Sequence, residues 1–460
     1  MKKIWFDVTS ILNWHRPAVG IIRVEVECAK FALKHLSGRV EFCCFRGTAG
    51  FVRVEPTAVR AALARIGQRP APTASSTPAS LAALSGIEAR ARSIVLRFPG
   101  AIRDPLYRYL SVRREAVRTA GNGLRELRRA AKAWVKPLPE TSAWRPARLA
   151  RQASQYFSKD SVYVSLGLDW DQKDLTFLAA QKLATRFKAL LFCYDVIPVK
   201  YPHLCVADVS AKFARYFADV SWCADEILCI SECTKRDLLA LLDELGAPKP
   251  PATVIKLGSN ILKSNVEEVS AQTFSAAGDR FILFVSTIER RKNHETVYRA
   301  YTRLVDQGER NLPKLVFVGM PGWGVADFLA DIRFDPRVAG CIEVLTNVSD
   351  EDLVWLYEHA LFTVFPSLYE GWGLAVGESL ANGKFCLASN AGSIPEVGGD
   401  LIEYLDPWDV PKWAERMAWY IRHPEELARA ETRIREQYVV PTWESTARSV
   451  FERAEALLPD

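Results

Sequence analysis

The chain has 460 residues, 49% of them hydrophobic and 25% charged, a balance that excludes disordered and collagen-like classes, and at roughly 150 residues per domain it holds about three folding units. No apolar run approaches the roughly 20 residues that span a bilayer, and Asp7 interrupts the N-terminal stretch too early for a secretory leader. The net charge of +6 is unevenly spread: positions 51–160 hold 21 Lys and Arg against 7 Asp and Glu, so that stretch carries +14 and the rest −8.

In chain order, KKIWFDVT reads as a strand, RVEVECAKFALKHL as a helix and VEFCCF as a second strand. The basic segment follows, with the low-complexity run QRPAPTASSTPAS at 68–80 and arginine-rich helical patterns behind it. In one of them Leu124, Leu127, Ala131 and Trp134 share an apolar face opposite Arg125, Arg128, Arg129 and Lys132. Two readings stay open: a helix lying on an anionic membrane surface, or a solvated basic face packed on its host domain. Nucleic acid is not expected as a partner, because no binding motif accompanies the charge.

The strands SVYVSL, ALLFCYDVIPV and EILCIS follow, then a stretch without apolar periodicity around 258–278. Beyond it RFILFVSTI, KLVFVGM, LFTVFPS and FCLAS alternate with helical stretches. This is the signature of an α/β protein with two Rossmann-like, doubly wound parallel sheets. The expected domains are 1–50 with 160–262, a basic helical insertion at 51–159, a second lobe at 275–440, and a last helix at 441–460 that returns to the first lobe. The ten cysteines lie scattered, several inside apolar runs (Cys28, Cys193, Cys229, Cys386), as small buried hydrophobes of a reducing cytoplasm. Cys223, Cys229 and Cys233 lack the paired spacing of a zinc site.

Ligands of such sheets bind beyond the carboxyl ends of the strands. After RFILFVSTI comes ERRKNHE, with Arg290, Arg291, Lys292 and Asn293 before a helix, a setting that suits a diphosphate. After LFTVFPS comes YEGWGLAVGESLANG, where seven residues separate Glu370 from Glu378. Gly371 and Gly373 allow close backbone approach to a ligand, and carboxylates accept hydrogen bonds from sugar hydroxyls. Asp169-Trp170-Asp171 is an isolated acidic triplet, too few oxygens for a hard cation by itself.

With these motifs the sequence resembles the retaining nucleotide-sugar glycosyltransferases of family four, whose two Rossmann-like lobes face one another across a cleft (the GT-B fold). The resemblance rests on VSTIERRKNHE (285–295), FVGMPGWG (317–324), FPSLYEGWGLAVGESLANG (365–383) and SNAGSIPEVGGD (389–400). It implies that Arg291 and Lys292 neutralise the donor diphosphate, that Glu370 holds the donor sugar with Trp372, Gly373 and Leu374, and that Glu378 binds the nucleotide ribose. Gly319 and Gly371 belong to the matched donor-binding stretches, and Gly20 would approach the donor phosphates or the acceptor. Arg23, on the same helix, reads equally as a structural cation. Tyr194 stands where the family often carries a histidine, leaving Asp195 to position the acceptor or sugar, or merely to cap a strand end. Trp170 and Tyr194 are assigned to the acceptor cleft and no metal or other cofactor is expected.

Retention in this family is attributed to front-face substitution, so the two glutamates are binding groups rather than a hydrolase acid and nucleophile. The expectation is a cytoplasmic enzyme, peripheral on the inner face of the membrane. It would move mannose or a deoxyhexose such as rhamnose from a nucleotide-diphosphate donor to a lipid-linked glycan of O-antigen, capsule or exopolysaccharide. The alternatives are a catalytically silent sugar-binding or scaffolding subunit and a soluble-acceptor glycosyltransferase.

Overall fold

The computed structural model describes residues 2–15, 18, 20–47, 50–67, 156–205, 209–260 and 269–459. The basic amphipathic pattern around Leu124–Trp134 and the middle of the inter-lobe stretch, 261–268, lie outside them. The first lobe carries β1 (Lys3–Asp7), β2 (Val40–Phe45), β3 (Phe51–Val54), β4 (Ser161–Val164), β5 (Lys188–Cys193), β6 (Glu226–Cys229) and β7 (Ala252–Val254). They form one sheet in the order β3-β2-β1-β4-β5-β6-β7, parallel except where β3 runs against β2.

The second lobe carries β8 (Phe281–Val285), β9 (Lys314–Val318), β10 (Ile342–Leu345), β11 (Thr363–Phe365), β12 (Cys386–Ser389) and β13 (Glu403–Leu405). Their order is β10-β9-β8-β11-β12-β13, parallel throughout. FILFV and KLVFV read as continuous apolar runs because helices cover both faces of the sheet, and Ile282, Leu283, Phe284, Leu315, Val316 and Phe317 are fully buried. In each sheet the strand order reverses beside the first strand, where a doubly wound fold opens its ligand crevice. Among the described residues no helix is long and apolar enough to cross a membrane.

The structure corrects one boundary. Residues 51–67 were assigned to the insertion, yet Phe51–Val54 pair with β2, and the helix Pro56–Gly67 sinks Val59, Ala62 and Ile66 into the first lobe's core. Arg65 donates to the Leu12 carbonyl at 2.9 Å. The basic residues of this stretch project from an element whose other face is core, so charge counting alone placed the boundary too early.

The last helix, Trp443–Ala456, packs along the helix Ile21–His35 of the first lobe. Phe451 stacks on Phe31 at 6.0 Å and meets Phe6 at 5.6 Å, while Arg453 pairs with the buried Glu226 at 2.8 Å. Thr442 caps it by accepting from the Ser445 amide. The two chain crossings between the lobes bind each other: the Ser259 amide donates to the Pro441 carbonyl at 2.9 Å, and the Trp443 amide to the Asn260 side chain at 3.0 Å. Gly258 lies so close that a Cβ there would stand 2.5 Å from the Trp443 nitrogen. Gly258→Ala is expected to destabilise the protein by about 1–3 kcal/mol, read as a fall of roughly 3–8 °C in the thermal unfolding midpoint.

Candidate active site

The turn Arg290–Lys292 after β8 is held by Asn293, which adopts φ 60° and donates through its side-chain amide to the carbonyls of Pro366 at 3.0 Å and Pro407 at 2.9 Å. This carries the basic turn against the loop that follows β11. Arg291 Nη1 meets Glu370 Oε2 at 2.8 Å and Lys292 Nζ meets Glu370 Oε1 at 2.5 Å. Ser367 donates to the same Oε1 at 2.6 Å, and the second arm of Arg291 reaches Glu289 at 2.9 Å. Burial pushes the Glu370 carboxyl up, but Arg291 and Lys292 outweigh it and hold it at about 2. Burial, with Arg291 alongside, lowers the Lys292 ammonium despite the opposing pull of Glu370.

The backbone around Glu370 is polarised. The Tyr369 carbonyl accepts from Arg291 at 2.9 Å, those of Glu370 and Trp372 both accept from Ser393 Oγ at 3.0 Å, and that of Gly371 accepts from Ser231 Oγ at 2.8 Å. Among the described residues the amides of 369–375 find no acceptor. Gly373, at φ 107°, turns the chain into the helix Leu374–Ala381, so Leu374 begins the first turn with its N–H available. A run of carbonyls satisfied by protein beside a run of amides left over is chemically suited to accept an anion or hydroxyls.

Glu378, about one turn into that helix, forms a separate group. Tyr357 donates to it at 3.0 Å and Arg23 of the first lobe stands 4.0 Å away, over the Trp443 ring. Burial raises its carboxyl to about 7, with Arg23 and the Tyr357 hydroxyl opposing.

The remaining expected residues fall in distinct places. Gly371 is wedged against the end of β5: a Cβ would lie 2.3 Å from the Tyr194 carbonyl and 2.9 Å from Asp195 Cβ. Asp195 therefore joins the Glu370 group; burial raises its carboxyl and Arg291 opposes the rise, while the side chain also accepts from the Ile197 amide at 3.0 Å. Tyr194 is buried with its hydroxyl donated to the Leu166 carbonyl at 2.7 Å, so what it offers this loop is backbone. Gly20, at φ 51°, starts the helix Ile21–His35 that carries Arg23. Gly319 ends β9 where a Cβ would sit 1.9 Å from the Ser286 carbonyl oxygen. Trp372 is buried, and its indole N–H has no partner among the described residues. Trp170 packs on Phe213 at 5.0 Å and Tyr216 at 5.7 Å, part of the first lobe's aromatic cluster.

The acidic triplet diverges. Asp169 is buried in an ion network, 2.8 Å from Lys173, which also holds Asp7 at 2.9 Å, whereas Asp171 is exposed and pairs with Lys212. Among the described residues no group of three or more His, Cys, Asp and Glu is placed to hold a metal ion. Sequence reasoning missed Ser367, Ser393 and Tyr357. Ser393 lay within a quoted motif, but nothing in its spelling shows that it accepts the duty of two loop carbonyls.

Residues 265–437 match the family model "Glycosyl transferases group 1". The match covers the second lobe. The O-antigen chain mannosyltransferase B of Escherichia coli is 32% identical over 186 residues, 40% of this chain and 48% of that protein. The serotype-specific mannosyltransferase WbdA of the same organism is 27% identical over 238 residues, 48% of this chain and 28% of that protein. The match thus spans about half of one relative and under a third of the other. Among solved structures, HepE of Anabaena, in complex with UDP and glucose, superposes with a TM-score of 0.51 at 12% identity over 99% of this chain and 97% of that one. That likeness shows the GT-B fold for the two lobes together.

Glu370 is the counter-ion of two largely buried cations, so Glu370→Ala is expected to destabilise the protein by about 2–4 kcal/mol, while Lys292→Ala, which leaves the Arg291 pair, does less. Because its folded pKa lies below the unfolded value of 4.5, the stability Glu370 contributes is present above about pH 4.5 and is lost as pH falls toward 2. Thermal unfolding of both variants against pH measures the difference.

Proposed function

We propose that this glycosyltransferase transfers a hexose, mannose in the first instance or a deoxyhexose such as rhamnose, from a nucleotide-diphosphate donor to a lipid-linked glycan of a bacterial surface polysaccharide, with retention of the anomeric configuration. The observation that carries the reading is the Arg291–Lys292–Glu370 cluster set against the free amides of 369–375. The mannosyltransferase relatives supply the sugar, and the charge of the 51–160 segment supplies the membrane-side acceptor.

In this reading the donor diphosphate replaces Glu370 as the principal partner of Lys292 and shares Arg291. As the bond from the anomeric carbon to the phosphate oxygen breaks, negative charge grows on the phosphate, where the two cations stabilise it. The acceptor hydroxyl attacks from the same face and its proton passes to the departing phosphate, so no protein base is needed. Glu370 and the 372–374 amides hold the sugar hydroxyls, Glu378 the ribose, and Asp195 the acceptor or the reacting sugar. No metal is assigned a role, because the fixed cations already stand where the charge develops. The enzyme would work at the cytoplasmic face of the membrane, associated through basic surface.

A thermal-shift screen against GDP, UDP, dTDP and ADP and their sugar conjugates tests this, with and without chelator. A ligand at about 100 times its Kd stabilises the native state by about 2.7 kcal/mol, so one nucleotide should raise the midpoint by several degrees, unaffected by chelator and lost in Glu378→Ala and Lys292→Ala. No shift with any of them at millimolar concentration would overturn the reading.

The Glu378 carboxyl must be ionised to accept from both ribose hydroxyls, and in the free protein it titrates near 7. Nucleotide affinity should therefore rise as pH increases from about 5.5 to 7.5 and then level off. Calorimetric titration of Glu378→Gln should show weaker binding with that pH dependence gone.

A further inference from the structure

The loop that presents Glu370 belongs to the second lobe, yet much of what holds it belongs to the first. The helix Glu232–Glu244 is capped by Ser231, whose hydroxyl accepts from the Thr234 amide and donates to the Gly371 carbonyl at 2.8 Å. One turn on, Asp237 Oδ2 accepts from the Tyr369 hydroxyl at 2.5 Å. Lys200 closes the triangle, 2.7 Å from Asp237 Oδ1 and 2.9 Å from the Tyr369 hydroxyl. In return, the second lobe's Glu396 accepts from the Glu232 and Cys233 amides, both at 2.8 Å, satisfying the exposed donors of the same helix start.

Tyr369 and Gly371 flank Glu370, and both are tied across the lobes. Arg291, Lys292 and Ser367 hold the Glu370 carboxylate from its own lobe, but if the lobes parted the Gly371 carbonyl and the Tyr369 hydroxyl on either side of it would each lose a partner. Gly371 also sits where any side chain would strike the Tyr194 carbonyl, so the contact is backbone on backbone and tolerates little slack.

We infer that the first two turns of the helix Glu232–Glu244 form a clamp, with Tyr369 and Asp237 as positioning residues that hold the backbone on either side of Glu370 for the donor sugar when the lobes are closed. This rests on the donor-site reading above and adds the element that couples closure to it. Of the nucleotide-holding groups, Arg291 meets the clamp at the Tyr369 backbone carbonyl, which side-chain variants of Tyr369 and Asp237 leave in place, so releasing the clamp should separate sugar handling from nucleotide binding.

The clamp carries its own reporter. Cys233 is buried with its thiol 3.2 Å from the Tyr369 hydroxyl, while Cys28 and Cys386 are buried in the cores of the two lobes. The full-length protein is treated with iodoacetamide and labelling is mapped by mass spectrometry in wild type, Tyr369→Phe and Asp237→Asn. The same proteins are assayed for GDP binding and for GDP-mannose turnover. Both variants should label at Cys233 at least about fivefold faster while Cys28 and Cys386 stay protected, since opening is local rather than global. Turnover should fall about tenfold or more, with the GDP Kd changed less than about threefold, as expected for loss of one hydrogen bond to a charged group remote from the nucleotide. Unchanged Cys233 labelling in both variants, or full turnover despite faster labelling, overturns the inference. If wild type processes no nucleotide sugar and Cys233 still responds, the donor reading fails and the mechanical clamp stands, because labelling requires no substrate.

Discussion

A carboxylate held between two cations is the constraint on which the second lobe's crevice is built. Arg291 and Lys292 leave β8 on a tight turn, Glu370 leaves β11 on a loop, and neither segment would keep its place without the other's charge. Each ion is largely removed from water, a state tolerable only when opposite charges and hydrogen bonds compensate it. Asn293 and Ser367 complete the arrangement by fixing the turn and the carboxylate to backbone and hydroxyl partners. The result is a pair of cations fixed in place by a protein counter-ion before any ligand arrives.

The lobes are mechanically dependent on each other in two separate places. At the crossings, Gly258 and Trp443 bring backbone against backbone, and the last helix seats Phe451 between Phe6 and Phe31 of the first lobe. At the crevice, the start of the helix Glu232–Glu244 holds the loop that bears Glu370. The crossings join the lobes and the crevice contacts reward their closure, so a ligand that favours the second set of contacts shifts the population toward the closed form.

How much of this was legible in the sequence depended on distance along the chain. The strands were, because uninterrupted apolar runs such as FILFV are what a sheet covered on both faces demands. That Arg291, Lys292 and Glu370 serve one site was what the family resemblance implied; spacing alone left helix capping and a surface acid open. The edge strand Phe51–Val54 was not, since an edge strand four residues long carries little apolar signal and lay beside a basic run. Nor was the packing of Trp170 on Phe213 and Tyr216, because a half-buried aromatic in the short helix Asp169–Gln172 looks the same in sequence whatever it packs on. The contact of Gly371 with Tyr194 and the tie from Ser231 to Gly371 join residues more than a hundred positions apart, and no local pattern encodes them.

The two glutamates of the motif show why spacing alone does not assign a role. Eight positions apart in sequence, they are both largely removed from water, and burial pushes both carboxyls upward. Glu370 has two cations and a hydroxyl in direct contact and is driven down to about 2, so it stays an anion wherever the protein is folded near neutrality. Glu378 has one guanidinium at 4.0 Å and one phenol, not enough to offset burial, and remains near 7. The difference is set by partners drawn from other segments: β8's turn for one, the helix Ile21–His35 and Tyr357 for the other. A carboxylate fixed as an anion suits a permanent place in a charge cluster, where its loss would strand two cations. One that titrates near neutrality gains its full charge when hydrogen-bond donors arrive, and hydroxyl pairs are donors of that kind.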